Sequence, residues 1–180
     1  MLVVGSGIIA QMMGELGKRA GASYVAMSKT NDRKLAKARE VGAFDAYLDG
    51  KAENRREIYD EASGGGFDVV FEAVGSASAL AASLDAVKPG GTVVTVGNTI
   101  DATIPIDINR LVLRETHLIG SVSCTRKEFE ETIDLIASGM IDPKRYVTDV
   151  DPIEDMQHAF ERLTSRTDPV LKIVMKPDAA

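Results

Sequence analysis

The chain has 180 residues, 44% hydrophobic and 27% charged, the composition of a folded domain with a real core. Its net charge of −6 and pI near 5.0 argue against nonspecific nucleic-acid binding, which needs a basic surface to neutralise phosphates. One cysteine, Cys124, excludes an internal disulfide and suits a reducing compartment, the cytoplasm, and no apolar run reaches the roughly 18 residues of a membrane span.

Residues 2–5 read as a short apolar strand that runs straight into Gly5-x-Gly7-x-x-Ala10. With no basic lead before it, this start does not resemble a signal peptide, and a core strand beginning at Met1 suggests a fragment of a longer protein. A helix is expected over 8–20, stopped by Gly21-Ala22, then a strand over 23–27. A helix over 32–41 follows, with Asn31 as a possible N-cap and Gly42 at its end, then a short strand over 44–48. The charged helix 52–63 ends at Gly64-Gly65-Gly66, and 67–73 is the fourth strand. An alanine-rich helix over 76–87 stops at Pro89-Gly90-Gly91 and leads to a strand over 92–96. Residues 108–114 read as helix and 117–122 as strand. An amphipathic helix over 126–138 carries Phe129, Ile133 and Ile136 at helical spacing and stops at Gly139. The tail holds a helix over 151–163, with Met156 and Phe160 on one face, and a strand over 170–175.

Strands one, two, four and five are nearly all apolar, as strands buried on both faces are. Their alternation with helices predicts an α/β fold, a doubly wound parallel sheet of the Rossmann type, with a short C-terminal helix–strand tail. Regular alternation lapses at Asp142-Pro143-Lys144-Arg145, near a possible domain edge. In this context the glycine turn predicts a dinucleotide site. Gly5 permits the tight turn, Gly7 lets backbone approach a pyrophosphate, and Ala10 lets the helix sit close on the strand. The pyrophosphate would lie at the helix start, over Ser6, Ile8 and Ile9, where free N–H groups and the helix dipole favour an anion. Val74-Gly75 and Val96-Gly97-Asn98 follow strands four and five, at the carboxyl edge where open parallel sheets bind ligands, although either Gly75 or Gly97 could equally be a simple turn glycine. Glu72 reads as a satisfied polar residue of the sheet.

The ordered series GSGIIAQMMGELGKRAGA, RKLAKAREVGA, GFDVVFEAVG, LDAVKPGGTVVTVG, LVLRETHLIGS and IEDMQHAFERL…DPVLKIV spans essentially the whole chain. It resembles the cofactor-binding half of the medium-chain dehydrogenases, the zinc-type alcohol, polyol and threonine dehydrogenase group. The resemblance implies a dinucleotide-binding domain over 1–140 and, over 141–180, a segment that packs on a catalytic domain. It also implies an oxidoreductase that positions NAD(P) for hydride transfer to or from an alcohol or carbonyl substrate. Val74 would line the ribose region, Val96 the nicotinamide face, and Gly120-Ser121 the carboxamide. The family's catalytic lobe carries a cysteine, a His-Glu pair and often a four-cysteine zinc cluster, whereas this chain has only Cys124, His117 and His158, widely separated. Zinc needs three or four converging ligands, so zinc is expected only in the absent lobe, and the chain alone is expected to be inactive.

The family's spacing back from Gly42 places Lys29 where NAD-specific members carry an acid that bonds the adenosine ribose. A lysine there, with Ser28 and Thr30 as hydroxyl donors and Arg33 or Lys34 one turn on, would welcome a 2′-phosphate, so NADP is expected to be preferred over NAD. A plain solvated lysine is the alternative, and a three-residue slip would bring Asp32 to the ribose instead of to an N-cap. The edge strand 117–122, from His117 to Val122, invites pairing with another chain, and the resemblance implies a homodimer that joins two such edges. A free-standing NAD(P) sensor without catalysis is the other functional reading, since fold alone does not decide function. A methyltransferase is weaker, because its cofactor ribose wants a carboxylate where Lys29 stands.

Overall fold

A computed structural model describes residues 1–29, 32, 34–99, 103–165 and 167–177. Strands β1 (Leu2–Val4), β2 (Ala26–Lys29), β3 (Ala46–Asp49), β4 (Phe67–Glu72), β5 (Val87–Thr95) and β6 (His117–Gly120) alternate with helices α1 (Ile8–Arg19), α2 (Leu35–Val41), α3 (Arg55–Ser63), α4 (Ala77–Ala86) and α5 (Ile108–Val112). The six strands form one sheet in the order β3-β2-β1-β4-β5-β6, parallel throughout. This is the doubly wound sheet expected from the apolar strands. The strand order reverses between β1 and β4, so their carboxyl ends flank the switch-point crevice.

Leu2, Val3 and Val4 are all buried, which requires cover on both faces. On one face Leu2, Val4 and Val70 join Tyr59 of α3 and Leu80 and Leu84 of α4 in the main core cluster. Alternation turns Val3 to the other face, where α1 packs on β1 and β2. A Cβ on Gly14 would run into the Phe44 ring, so this glycine lets α1 lie close over the entry to β3. Val87, expected as the end of the helix, and Pro89-Gly90-Gly91, expected as its stop, instead begin β5, with Val87 already pairing with Phe67.

The chain separates into two compact units, Met1–Ser121 and Val122–Ala180. The sequence reading set its edge at 140/141; in the structure α6 (Arg126–Ala137) stands with the tail. Within that second unit, β7 (Asp149–Pro152) pairs in parallel with β8 (Ile173–Lys176), and α7 (Met156–Thr164) packs on β7. The expected helix over 151–163 is therefore β7's end, a 3-10 turn (Ile153–Asp155) and then α7. Arg162 draws this unit together by pairing with Asp149, Asp151 and Asp168 at 3.1, 3.5 and 3.1 Å.

Candidate functional site

The glycine turn sits at the carboxyl end of β1. Gly5 has φ +125°, a backbone that side chains rarely adopt, and its N–H donates to the Ser28 carbonyl at 3.0 Å. A Cβ there would meet Val74 Cγ2 at 3.1 Å, so Gly5 also faces the segment after β4. Gly7 is different: its φ is −71°, and a Cβ would meet no heavy atom within 4 Å. No protein neighbour demands a glycine at that point, and the space above it is open to an incoming group. Helix α1 begins directly after Gly7 with no side-chain cap and no acid in its first turn. Ser6 and Ile8 are half-buried and Ile9 is exposed, so the helix start faces outward. Gln11 is fully buried beneath it; its Nε2 donates to the Ser6 carbonyl at 3.2 Å and to the Lys34 carbonyl at 3.5 Å.

Beyond β4 and β5 two turns cross backbone to backbone. Glu72, 2% exposed, organises them. Its carboxylate accepts the Val74 and Gly75 N–H groups, each at 2.8 Å, while its carbonyl accepts Val96 and Gly97 at 2.9 and 3.0 Å. Gly75 has φ +79°, and a Cβ on it would collide with the Asn98 carbonyl; a Cβ on Gly97 would collide with the Gly75 nitrogen. Both glycines thus have a packing reason of their own. Val74 and Asn98 stay exposed and Val96 half-buried on this edge. Gly120 and Ser121, exposed at the end of β6, lie along the same edge, with Ser121 donating to the Thr95 carbonyl at 3.0 Å.

At the end of β2 the residues divide. The Ser28 hydroxyl is 2.7 Å from the Tyr59 hydroxyl, with both residues buried. Burial pushes the Tyr59 phenol up, against a smaller opposite pull from the Ser28 hydrogen bond, so this is a neutral pair. The hydroxyl expected to greet a phosphate is therefore engaged inside the core. Lys29 is half-buried at the edge, and its ammonium pairs with Asp32 at 2.7 Å. Asp32 is not the N-cap of α2, a position that Lys34 holds; the Asp32 carboxylate serves Lys29 instead. Thr30, Asn31 and Arg33 lie outside the described residues.

A cavity of about 450 Å³ opens at these strand ends, lined by Gly5, Ser28, Lys51, Arg55, Val74 and Ser76 among others. Lys51 and Arg55 were not among the residues picked from sequence. The signal was available: Gly50-Lys51 follows β3 as Val74-Gly75 follows β4, on the edge where ligands bind. Arg55 is bound to Asp85, its Nε and Nη2 donating to Oδ2 at 3.0 and 2.7 Å, and Arg110 donates to Oδ1 at 2.6 Å. A larger apolar groove, of about 710 Å³, lies by Met1, Ser23 and Asp68, at the opposite ends of the strands.

Among the described residues no group of three or more His, Cys, Asp or Glu side chains could hold a metal ion. His117 and Cys124 are exposed, and His158 is 3.9 Å from Glu161 on the surface of α7. These residues do not fit zinc, and no step here can be routed through it. Among the same residues no helix is long and apolar enough to cross a membrane.

Comparison with known proteins gives a consistent result. The family model described as zinc-binding dehydrogenase matches residues 9–138. D-arabinitol dehydrogenase 1 of Uromyces fabae is 31% identical over 184 residues, spanning 98% of this chain and 51% of its own length. Among solved structures, 2R,3R-butanediol dehydrogenase from Bacillus subtilis superposes with a TM-score of 0.85 at 26% identity, over 98% of this chain and 50% of that one. A zinc-binding dehydrogenase from Sinorhizobium meliloti 1021 bound to NADP gives 0.84 at 26% identity, over 98% and 52%. The chain spans about half the length of the curated relatives it matches.

Proposed function

Because the chain belongs to the zinc-binding dehydrogenase family, we propose that it binds a nicotinamide dinucleotide along the carboxyl edge of its sheet. In this reading it is the nucleotide-binding part of an NAD(P)-dependent alcohol or polyol oxidoreductase. The observation that carries it is the open space over Gly7 at an uncapped helix start, placed at the switch point of the sheet. Backbone at Gly5, Ser6, Gly7, Ile8 and Ile9 holds the pyrophosphate. Val74 and Gly75 line the ribose, Val96, Gly97 and Asn98 the nicotinamide face, and Gly120 and Ser121 the carboxamide. The cofactor supplies the hydride chemistry when bound; this chain's residues bind and orient it. None of them is proposed as a catalytic residue, and no metal enters the proposal.

The cofactor is NADP(H) in preference to NAD(H). Lys29 stands where a carboxylate would select the free ribose diol, and Thr30 and Arg33 follow it in sequence. Ser28 supports this end through its bond to Tyr59 rather than by offering its hydroxyl. A charge-assisted hydrogen bond is worth roughly 1.5–3 kcal/mol, a preference of about tenfold or more before screening by salt. The NADP-bound relative is in keeping with this preference. The protein works in the cytoplasm, in keeping with its single cysteine, and as a homodimer joined at β6. Titration of NADPH and NADH against the wild-type chain and Lys29→Asp tests the reading. The wild type is expected to favour NADPH and the variant NADH. Failure of the wild type to bind either cofactor would end the proposal.

A further inference from the structure

We propose that Lys51 is the second cation that recognises the adenosine 2′-phosphate, acting beside Lys29; this rests on the dinucleotide reading above. The sheet register places it there. Lys29 of β2 pairs with Asp49 of β3, and Gly50 then donates its N–H to the Lys29 carbonyl at 2.8 Å. A Cβ on Gly50 would meet Ser28 Oγ at 2.5 Å and the Lys29 carbonyl at 3.2 Å, so only glycine brings the turn this close to the end of β2. The next residue is Lys51, whose own N–H is fixed by Asp49 Oδ1 at 2.9 Å. Lys51 therefore lines the same cavity as Gly5, Ser28 and Val74.

The charge balance at the ends of β2 and β3 singles Lys51 out. Lys29 already faces Asp32 at 2.7 Å, and Arg55 is held by Asp85 at 2.7 Å. Among the described residues, no carboxylate stands within ion-pairing distance of the Lys51 ammonium, which is exposed. A 2′-phosphate carries up to two negative charges. Lys29, with Asp32 against it, neutralises only part of that, and the Lys51 ammonium, two residues beyond the Asp49 that pairs with Lys29, supplies the remainder. The ribose diol of NAD is neutral and gains little from the same ammonium. Lys51 is thus a specificity-determining residue and acts on only one of the two cofactors.

The test uses the full chain. NADPH and NADH are titrated by nicotinamide fluorescence against the wild type, Lys51→Met, Lys51→Glu and Lys29→Met, with 2′,5′-ADP as a probe that carries the phosphate without the nicotinamide. Lys51→Met is expected to weaken NADPH and 2′,5′-ADP by about five- to tenfold, what one charge-assisted bond is worth once exposure and salt have reduced it, and to leave NADH within about twofold. Lys51→Glu should weaken NADPH further, and its loss should shrink as salt rises. Thermal melts check that these exposed substitutions leave the fold intact. If the wild type prefers NADPH and Lys29→Met abolishes that preference while Lys51→Met does not alter it, the Lys51 assignment is wrong and the dinucleotide reading stands. Equal weakening of both cofactors by Lys51→Met also overturns the assignment. A wild type that binds neither cofactor overturns both.

Discussion

At the scale of single residues, the end proposed to take the adenosine is governed by which side-chain partners are already taken. Ser28 is spent on Tyr59, Gln11 is buried between the Ser6 and Lys34 carbonyls, and Lys29 shares its charge with Asp32. The Asp32 side chain is 75% exposed, so its grip on Lys29 is that of a surface ion pair, worth about 0–1 kcal/mol. An incoming phosphate has to displace it. Asp32→Asn removes the competitor while keeping the side chain's size. The expected outcome is a rise in NADPH affinity of up to about fivefold, with NADH nearly unchanged. Paired titrations at low and physiological salt measure this. If NADH affinity falls sharply in the variant, Asp32 is bonding the ribose, and the three-residue slip in the alignment is the correct register.

At the scale of elements, the crossing of the turns after β4 and β5 is the most constrained part of the site. Gly75→Ala forces a side chain into a left-handed backbone, a strain of roughly 1–3 kcal/mol, and drives its Cβ at the Asn98 carbonyl. A fall in melting temperature of several degrees is expected, together with loss of cofactor binding; a variant as stable as the wild type would show that the two turns part freely. Elements at the other end of the strands carry a pH dependence. Asp45 accepts from the Lys18 ammonium of α1 and, at 2.7 Å, from the Val25 N–H. The Lys18 hydrogen bond first, then Val25, hold the Asp45 carboxyl below its usual range. A depressed folded value means that stability is present above the unfolded carboxylate range, near pH 4, and is lost as pH falls through the folded value. The drop in urea midpoint from pH 7 to pH 3 should therefore be smaller in Asp45→Asn than in the wild type. What could be read from sequence follows the same division. The buried strands, the glycine turn and Lys29 carry local signals, because apolar runs, glycine spacing and charge are written in neighbouring residues. Strand β7 was missed because Asp-Val-Asp-Pro has the composition of a loop, and it is a strand only through pairing with β8, some twenty residues on. Ser28's commitment to Tyr59 is likewise a contact across 31 positions, invisible until the sheet and α3 are assembled.

At the scale of the whole molecule, the six-stranded sheet ends in two edges, β3 and β6, and the chemistry of each bears on assembly. The β3 edge is broken by charge: Asp45 precedes it and Asp49 closes it, with Lys51 just beyond. The β6 edge reads His-Leu-Ile-Gly, and Ile119 on it is 51% exposed. A strand with unpaired backbone groups and an exposed apolar side chain is a template for another strand, and protection by lysine or proline is absent within β6. A two-fold axis beside it would pair β6 with its own copy, satisfy both edges and bury Ile119 near the axis. The homodimer proposed above rests on this edge. Ile119→Glu would set two like charges close together across that axis while leaving the half-buried Leu118, which packs on the core, untouched. Light scattering at tens of micromolar is expected to give twice the chain mass for the wild type and the single-chain mass for Ile119→Glu, with little change in the secondary-structure spectrum. A wild type that runs as a monomer across that concentration range would remove the dimer. A variant that stays dimeric would place the interface away from β6.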